Sequence, residues 1–156
     1  MRNIELKDVT KEFLAKATPG KGSIEYEPGF DFKKHKKEKE TALWLLDTFG
    51  GKIIVLKENY KYQVKNPDYK WNDRFWELKG ISSKASLENA LRKAFKQIEY
   101  FPGGIIIDIS NYKESANGLY GIIYRRLTVK FTIVVFLLLK EKVNLFVFIN
   151  IKKKAA

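Results

Sequence analysis

The sequence has no cysteine, a single histidine (His35) and no long run of apolar residues. Without cysteine there is no disulfide, no thiolate metal ligand and no cysteine nucleophile. One histidine excludes zinc sites that are built from several histidines. Any bound metal ion must therefore be held mainly by carboxylate oxygens, which suits Mg2+ or Mn2+.

The chain also lacks a segment that could cross a membrane. Its most apolar run, residues 131–139, is far shorter than the roughly 20 residues that a membrane helix needs. The β-branched and aromatic residues of this run predict a buried strand instead. The segment from Met1 to Lys16 is charged and mixed, so it does not have the pattern of a secretory signal. We therefore expect no membrane partner.

What the chain does have is positive charge and enough apolar residues for one core. It contains 156 residues, of which 45% are hydrophobic, so a single domain is expected. Its 30 Lys and Arg residues exceed its 18 Asp and Glu residues, which gives a net charge of +12. This balance favours a polyanionic partner, with nucleic acid first, a membrane surface second and an acidic protein third.

The first part of the chain is rich in turn-forming residues. Residues 18–23 and 28–29 carry Pro, Gly and Ser, a composition typical of turns and linkers. We therefore predict that residues 1–30 form a linker or poorly packed lead-in, as at a join to a larger protein. Residues 31–156 are predicted to form one domain.

Apolar periodicity predicts helices alternating with short strands. A helix is expected over residues 35–49, where apolar residues form one stripe, and a second from an N-cap at Ser86 to Tyr100. Between them we predict a strand at 52–57, a polar loop at 58–66 and a hairpin of strands 67–71 and 74–80 that turns at Asn72-Asp73. A strand at 105–109, a weaker helix at 114–127 and strands at 129–139 and 143–151 follow. The predicted fold class is α/β, with a mixed β-sheet flanked by helices in the order αβββαβ, then an extra helix and a C-terminal hairpin.

Three polar residues of the predicted hairpin are expected to meet. Side chains alternate between the two faces of a strand, so Glu77 and Lys79 point the same way. A turn at residues 72–73 places Asp68 across the ladder from Glu77. Two carboxylates and an ammonium group would then share one patch, where the carboxylates supply oxygen ligands for a metal ion and Lys79 orients water or balances phosphate charge.

This spacing is degenerate by itself, because a Glu-x-Lys pair on a strand usually lies on a solvated face. Two helix residues add to the metal interpretation. Glu38 lies on the apolar stripe of the first helix, where an unpaired carboxylate is costly, so we expect a partner such as a metal ion or Lys79. Glu40 is the rival candidate, although it projects away from the stripe. Gln97 borders the stripe of the second helix, where it either holds a water or phosphate or is simply a hydrogen-bonded edge residue.

Basic and aromatic residues surround the predicted patch. The basic candidates for contact with a phosphate backbone are Lys36, Lys84, Arg92, Lys93 and Lys96. Lysine-rich faces are also often only solubilising. Tyr60 and Tyr62 are candidates for stacking on unpaired bases, or alternatively for hairpin packing. No glycine-rich phosphate loop and no serine nucleophile elbow occur in the sequence.

The arrangement of Glu38, Pro67-Asp68, Glu77-x-Lys79 and Gln97 is similar to that of the PD-(D/E)XK nuclease superfamily. A longer string resembles the C-terminal tRNase toxin domain family of contact-dependent growth inhibition (CdiA) proteins. This string consists of Thr41-Ala42-x-Trp44-Leu45, Phe49-Gly50-Gly51, Pro67-Asp68-Tyr69, Trp76-Glu77-Leu78-Lys79 and Asn89-Ala90-Leu91-Arg92-Lys93-Ala94. The resemblance covers about residues 35–110.

The resemblance implies a toxin that cleaves tRNA with a divalent metal ion, with Glu38, Asp68, Glu77, Lys79 and Gln97 in the catalytic site and Asp68, Glu77 and Glu38 as metal ligands. It also implies delivery by a larger exported protein, action in the cytoplasm of a target bacterium and neutralisation by a cognate immunity protein. The basic surface suits an acidic immunity protein as well as tRNA. A DNA endonuclease of the same fold and a non-catalytic nucleic-acid-binding module are the alternatives.

Overall fold

The computed structural model describes residues 3–8, 10–101, 103–113, 118–119, 121–123, 125, 135–140 and 144–151. The elements are β1(Asn3–Asp8), α1(Thr10–Lys16), β2(Gly22–Tyr26), α2(Lys36–Thr48), β3(Gly51–Val55), β4(Tyr60–Lys61), β5(Val64–Lys65), β6(Tyr69–Trp71), β7(Arg74–Gly80), α3(Lys84–Tyr100), β8(Gly103–Asp108), β9(Val135–Lys140) and β10(Asn144–Ile151). Eight strands form one sheet in the order β1-β10-β9-β8-β7-β6-β3-β2, and β4 pairs with β5 separately. Parallel pairing of β7 with β8 and antiparallel pairing of β6 with β7 make the sheet mixed. The predicted α/β class is confirmed.

The two long helices cover opposite faces of the sheet. Helix α2 buries Ala42, Leu45 and Phe49 in a core cluster that also contains Trp76 of β7. Because side chains alternate along β7, Glu77 points to the other face. There it lines a cavity together with Gln97 of α3. The sheet therefore presents Glu77 and its neighbours to α3, while α2 packs on the face that carries most of the aromatic core.

Helix α3 begins earlier than the sequence predicts. Its N-cap is Ser83 rather than Ser86, and the two serines form a capping box in which each side chain accepts a hydrogen bond from the other residue's backbone N–H. Strand β8 also begins earlier than the predicted residue 105, at Gly103. A Cβ at Gly103 would lie 1.9 Å from the carbonyl oxygen of Phe75, and one at Gly104 would lie 2.5 Å from the Trp76 ring. These glycines therefore permit the close approach of β8 to β7.

Residues 1–30, predicted to be a linker or poorly packed lead-in, contain two strands and one short helix. Strand β1 pairs with β10, and β2 pairs in parallel with β3, so both N-terminal strands belong to the sheet. No side chain in residues 11–29 is buried. Phe30 is buried in the core cluster, and Phe13, Ala17, Ile24 and Tyr26 are partly buried against it. The segment therefore joins the sheet through backbone hydrogen bonds and packs at the edge of the core.

Two other regions differ from the expected pattern or fall partly outside the described residues. The predicted loop 58–66 contains the short β4–β5 hairpin. Of the predicted helix 114–127, residues 118–119, 121–123 and 125 are helical and the others lie outside the described residues. The same is true of residues 129–134 and 143 in the two predicted final strands. Among the residues that the structure describes, no helix is long and apolar enough to span a membrane.

Candidate functional site

The hairpin of β6 and β7 brings Asp68 and Glu77 side by side. Asn72 and Asp73 adopt left-handed φ values of 49° and 65°, which a two-residue hairpin turn requires. The turn sets the pairing of Tyr69 with Trp76. One step further along, the Asp68 N–H donates to the Trp76 carbonyl oxygen at 3.1 Å, and the Leu78 N–H donates to Asp68 Oδ2 at 2.7 Å. The predicted placement of Asp68 opposite residue 77 is confirmed.

Glu77 is a buried carboxyl group with one satisfied oxygen. Its side chain is almost completely covered, and Lys79 Nζ lies 3.0 Å from Oε2. The other oxygen, Oε1, is buried and has no hydrogen-bond partner among the residues that the structure describes. Burial and the neighbouring Asp68 raise the pKa of Glu77 to about 8, although Lys79 and Lys65 act in the opposite direction. The site therefore favours a Glu77 that either keeps a proton shared with Asp68 or faces a cation.

Lys65 is a member of this cluster that the sequence did not indicate. Its Nζ lies 3.2 Å from Asp68 Oδ1. Burial lowers the pKa of Lys65, but the carboxylates of Asp68 and Glu77 raise it by more, so its pKa lies above the usual value. The only sequence signal is its position three residues before Asp68. That signal is uninformative in a predicted loop, because i,i+3 proximity is expected only in helices and turns.

Gln97 supplies the second unsatisfied oxygen of the cluster. Its Nε2 donates to the Lys65 carbonyl oxygen at 3.2 Å, which fixes the orientation of the amide. Like Glu77 Oε1, its Oε1 is buried and accepts no hydrogen bond from any described residue. Both residues line a cavity of about 280 Å³ that also contains Lys79, Lys93 and Lys96. The predicted residues Asp68, Glu77, Lys79 and Gln97 are thus brought together.

Glu38 lies beside His35 at the start of α2. Its carboxylate lies 3.3 Å from His35 Nδ1, so its partner is the histidine one turn earlier, while Lys79 pairs with Glu77. Within the described part of the chain, no group of three His, Cys, Asp or Glu side chains is arranged to hold a metal ion. Glu38 lines a small cavity together with Asp68 but does not join the pair. Glu40 is exposed, as its position off the stripe implied.

The backbone of Glu38 is nevertheless tied to the site. Tyr69 Oη donates to the Glu38 carbonyl oxygen at 2.6 Å, which fastens the first turn of α2 to β6 next to Asp68. Burial, with Asp68 and Glu38 nearby, raises the pKa of Tyr69 well above its usual value. Tyr69 therefore remains a hydrogen-bond donor at any ordinary pH.

The five predicted phosphate-binding residues separate into two groups. Lys93 and Lys96 lie on the wall of the cavity that contains Glu77. Arg92 instead donates to Asn89 Oδ1 at 3.0 Å. Lys84 lies in the first turn of α3, about 13 Å along the helix from Lys93 at 1.5 Å per residue. Lys36 is exposed at the start of α2. Only Lys93 and Lys96 are therefore part of the candidate site.

The donor set fits a hard divalent cation. Two carboxylates and an amide oxygen are the oxygen ligands that Mg2+ and Mn2+ prefer. Within the described part of the chain, two of these oxygens are buried without hydrogen-bond partners, which is costly in a protein interior unless a proton or cation compensates. The cysteine-free sequence offers no competing soft ligands.

Comparison of the chain with models of protein families, with curated proteins and with solved structures gives no match.

Proposed function

We propose that the protein is a metal-dependent endonuclease with a PD-(D/E)XK core. The observation that carries this proposal is a pair of buried oxygens, Glu77 Oε1 and Gln97 Oε1, that have no hydrogen-bond partner among the described residues. They lie in a cavity lined by four lysines and adjacent to Asp68. Acidic ligands surrounded by cationic side chains are what hydrolysis of a phosphodiester requires, because the metal ion needs anions and the substrate needs cations.

In this proposal Asp68 and Glu77 hold the divalent ion, and Gln97 Oε1 contributes a neutral oxygen. When bound, the ion neutralises charge on the phosphate and generates a nucleophile from water. Lys79, now held 3.0 Å from Glu77, orients the attacking water or contacts the phosphate. Lys65 positions Asp68, since its Nζ lies 3.2 Å from Oδ1 while the Leu78 N–H donates to Oδ2.

The order of the elements supports the proposed core. Helix α2 is followed by β3, β6, β7, α3 and β8, which is the predicted αβββαβ arrangement with the β4–β5 hairpin inserted. Asp68 precedes the middle strand of this arrangement, Glu77 and Lys79 lie on the next strand, and Gln97 lies on the following helix. Glu38, on the first helix, is bound to His35 and is therefore assigned to positioning α2 rather than to the metal ion.

The proposed substrate is tRNA and the proposed role is that of a growth-inhibiting toxin. Both rest on the resemblance of residues 35–110 to CdiA tRNase domains. The net charge of +12 supports a polyanionic substrate, and it also supports an acidic immunity protein as the neutralising partner. Such a domain would be delivered by a larger exported protein and would act in the cytoplasm of the target bacterium.

The test uses purified protein with total bacterial tRNA, single-stranded DNA and duplex DNA in Mg2+ or Mn2+, with EDTA controls. The variants are Asp68→Asn and, as a matched control, Asp73→Asn, which removes the same charge from the exposed turn of the same hairpin. We expect tRNA alone to be cut, with loss of cleavage in EDTA and in Asp68→Asn only. Cleavage of DNA alone would identify the DNA endonuclease instead. Binding of tRNA without any cleavage would refute the catalytic proposal.

A further inference from the structure

The β4–β5 hairpin places an exposed tyrosine next to the candidate site. Its two turn residues, Tyr62 and Gln63, have left-handed φ values of 53° and 62°. Only glycine, asparagine and aspartate adopt this conformation at little cost, so a tyrosine there is uncommon and indicates a functional constraint. The Tyr62 side chain is 71% exposed, so packing within the chain does not account for its presence at the turn.

Tyr100 of α3 meets Tyr62 across a short gap. The two ring centroids lie 5.4 Å apart with planes tilted by 36°, and Tyr100 is 42% exposed. Lys61 Nζ lies 5.5 Å from the Tyr62 ring centroid. The result is a small aromatic surface, here named the Tyr62–Tyr100 platform, with an ammonium group at its border.

The platform continues into the cavity that contains Glu77. Tyr60 and Gln63 of the same hairpin line that cavity. On α3, the cavity residues Lys93, Lys96 and Gln97 stand seven, four and three residues before Tyr100. These spacings place all four side chains on one face of the helix. Aromatic rings therefore adjoin a lysine-walled cavity without an intervening element.

We propose that the Tyr62–Tyr100 platform stacks on an unpaired base of a single-stranded nucleic acid whose adjacent phosphate enters the cavity. The assignment of that phosphate to cleavage rests on the proposed function; the stacking does not. Aromatic rings beside cationic groups form the usual surface for single strands, because every base offers a π-face and every nucleotide a phosphate. A duplex hides its base faces, so the platform selects unpaired segments such as loops.

Binding is measured by fluorescence anisotropy in EDTA, which prevents cleavage, with a labelled single-stranded RNA and its matching duplex. The key variants are Tyr62→Ala and Tyr62→Trp. Phe32→Ala is the matched control, because Phe32 is a 47%-exposed aromatic with Lys39 Nζ 6.0 Å from its ring, outside the residues lining this cavity. Because Tyr62→Ala loses one stacked base, its affinity for the single strand should be about tenfold lower than that of the wild type. Tyr62→Trp and Phe32→Ala should bind as the wild type does.

A second readout separates stacking from a change in folding. A 2-aminopurine in the single strand should be quenched on binding to the wild type and to Tyr62→Trp, and less so on binding to Tyr100→Ala. Equal losses for single strand and duplex, or unchanged single-strand binding in Tyr62→Ala, would overturn the proposal. The proposal would also be overturned if Tyr62→Ala lost affinity for an acidic protein but kept its affinity for the single strand. The platform would then be assigned to a protein partner. Platform-dependent binding without metal-dependent cleavage would leave the platform in place and remove the nuclease assignment.

Discussion

Glu77 makes the stability of the metal-free protein depend on pH in an unusual direction. The carboxyl group is 2% exposed and lies beside Asp68. Burial and this neighbour raise its pKa from 4.5 to about 8 in the folded protein. Between these two values, the folded chain holds a proton that the unfolded chain releases. The contribution of Glu77 to the free energy of unfolding is therefore greatest below about pH 4.5. It falls as the pH rises and levels off above about pH 8.

The size of the effect follows from the change in pKa. At 1.36 kcal/mol per pKa unit, the rise from 4.5 to about 8 corresponds to about 5 kcal/mol across the whole window. Because natural domains are stable by only about 5–15 kcal/mol, this loss is a large fraction of the total. The metal-free protein is expected to be marginally stable at pH 8.5.

The assay is urea unfolding followed by circular dichroism from pH 5 to 9, in EDTA and in Mg2+ or Mn2+. In EDTA the free energy of unfolding should fall steadily up to about pH 8. A divalent ion that binds the ionised pair should restore roughly 2.7 kcal/mol at a hundred times its dissociation constant. Because the metal ion replaces the proton, the restoration should be largest at high pH.

Glu77→Gln is the decisive control, because the amide keeps the shape of the side chain and cannot ionise. This variant should lose the fall in stability that Glu77 causes, and it should be more stable than the wild type at pH 8.5 in EDTA. It should also lose the metal effect. If the wild type and Glu77→Gln show the same slope against pH, the buried proton is not at Glu77 and the reasoning fails.

Four further outcomes are expected. Asp68→Asn should slow cleavage by roughly 100-fold or more while tRNA binding in EDTA persists, as measured by product formation and anisotropy; retained cleavage would contradict its role as a ligand. Glu38→Gln should slow cleavage by less than about tenfold, because the structure pairs Glu38 with His35; a loss as large as that of Asp68→Asn would return Glu38 to the metal site. The double variant Lys93→Gln/Lys96→Gln should reduce the slope of log affinity against log salt for single strands by about 1.4, at about 0.7 per phosphate contact, and an unchanged slope would place both lysines outside the interface. Leu45→Ala should lower the free energy of unfolding by about 2–5 kcal/mol, since this side chain is fully buried, and a loss under 1 kcal/mol would contradict the core assignment.

The sequence predicted those parts of the fold whose signals are local. The apolar stripe of α2 and the Asn72-Asp73 turn each identify an element within a few residues, and the structure agrees on both. Because strand side chains alternate, a correct turn was sufficient to place Asp68 beside Glu77. This part of the site follows from a short stretch of chain and needs no information on distant contacts.

What the sequence did not predict depends on contacts between distant segments. Strand β2 has few apolar residues to bury, and its place in the sheet comes from backbone pairing with β3. Lys65 is part of the site because the β4–β5 hairpin brings it to Asp68. The polar sequence of this segment predicts a loop and does not indicate a hairpin. Glu38 differs from these cases, because its contact is local: its partly buried carboxylate pairs with His35 rather than with Lys79, one of the two partners expected.

Helix α3 explains how the two halves of the proposed site keep a fixed relation. Leu87, Leu91 and Ala94 are buried on its inner side, which sets its rotation against the sheet. Once that rotation is set, Gln97 must face Asp68 and Glu77, and Tyr100 must lie one turn further along the same face, about 4.5 Å away along the axis. A substitution that rotated α3 would therefore disturb metal binding and base stacking together. One that changed only Tyr62 would disturb stacking alone, because Tyr62 belongs to a hairpin whose remaining residues still line the cavity.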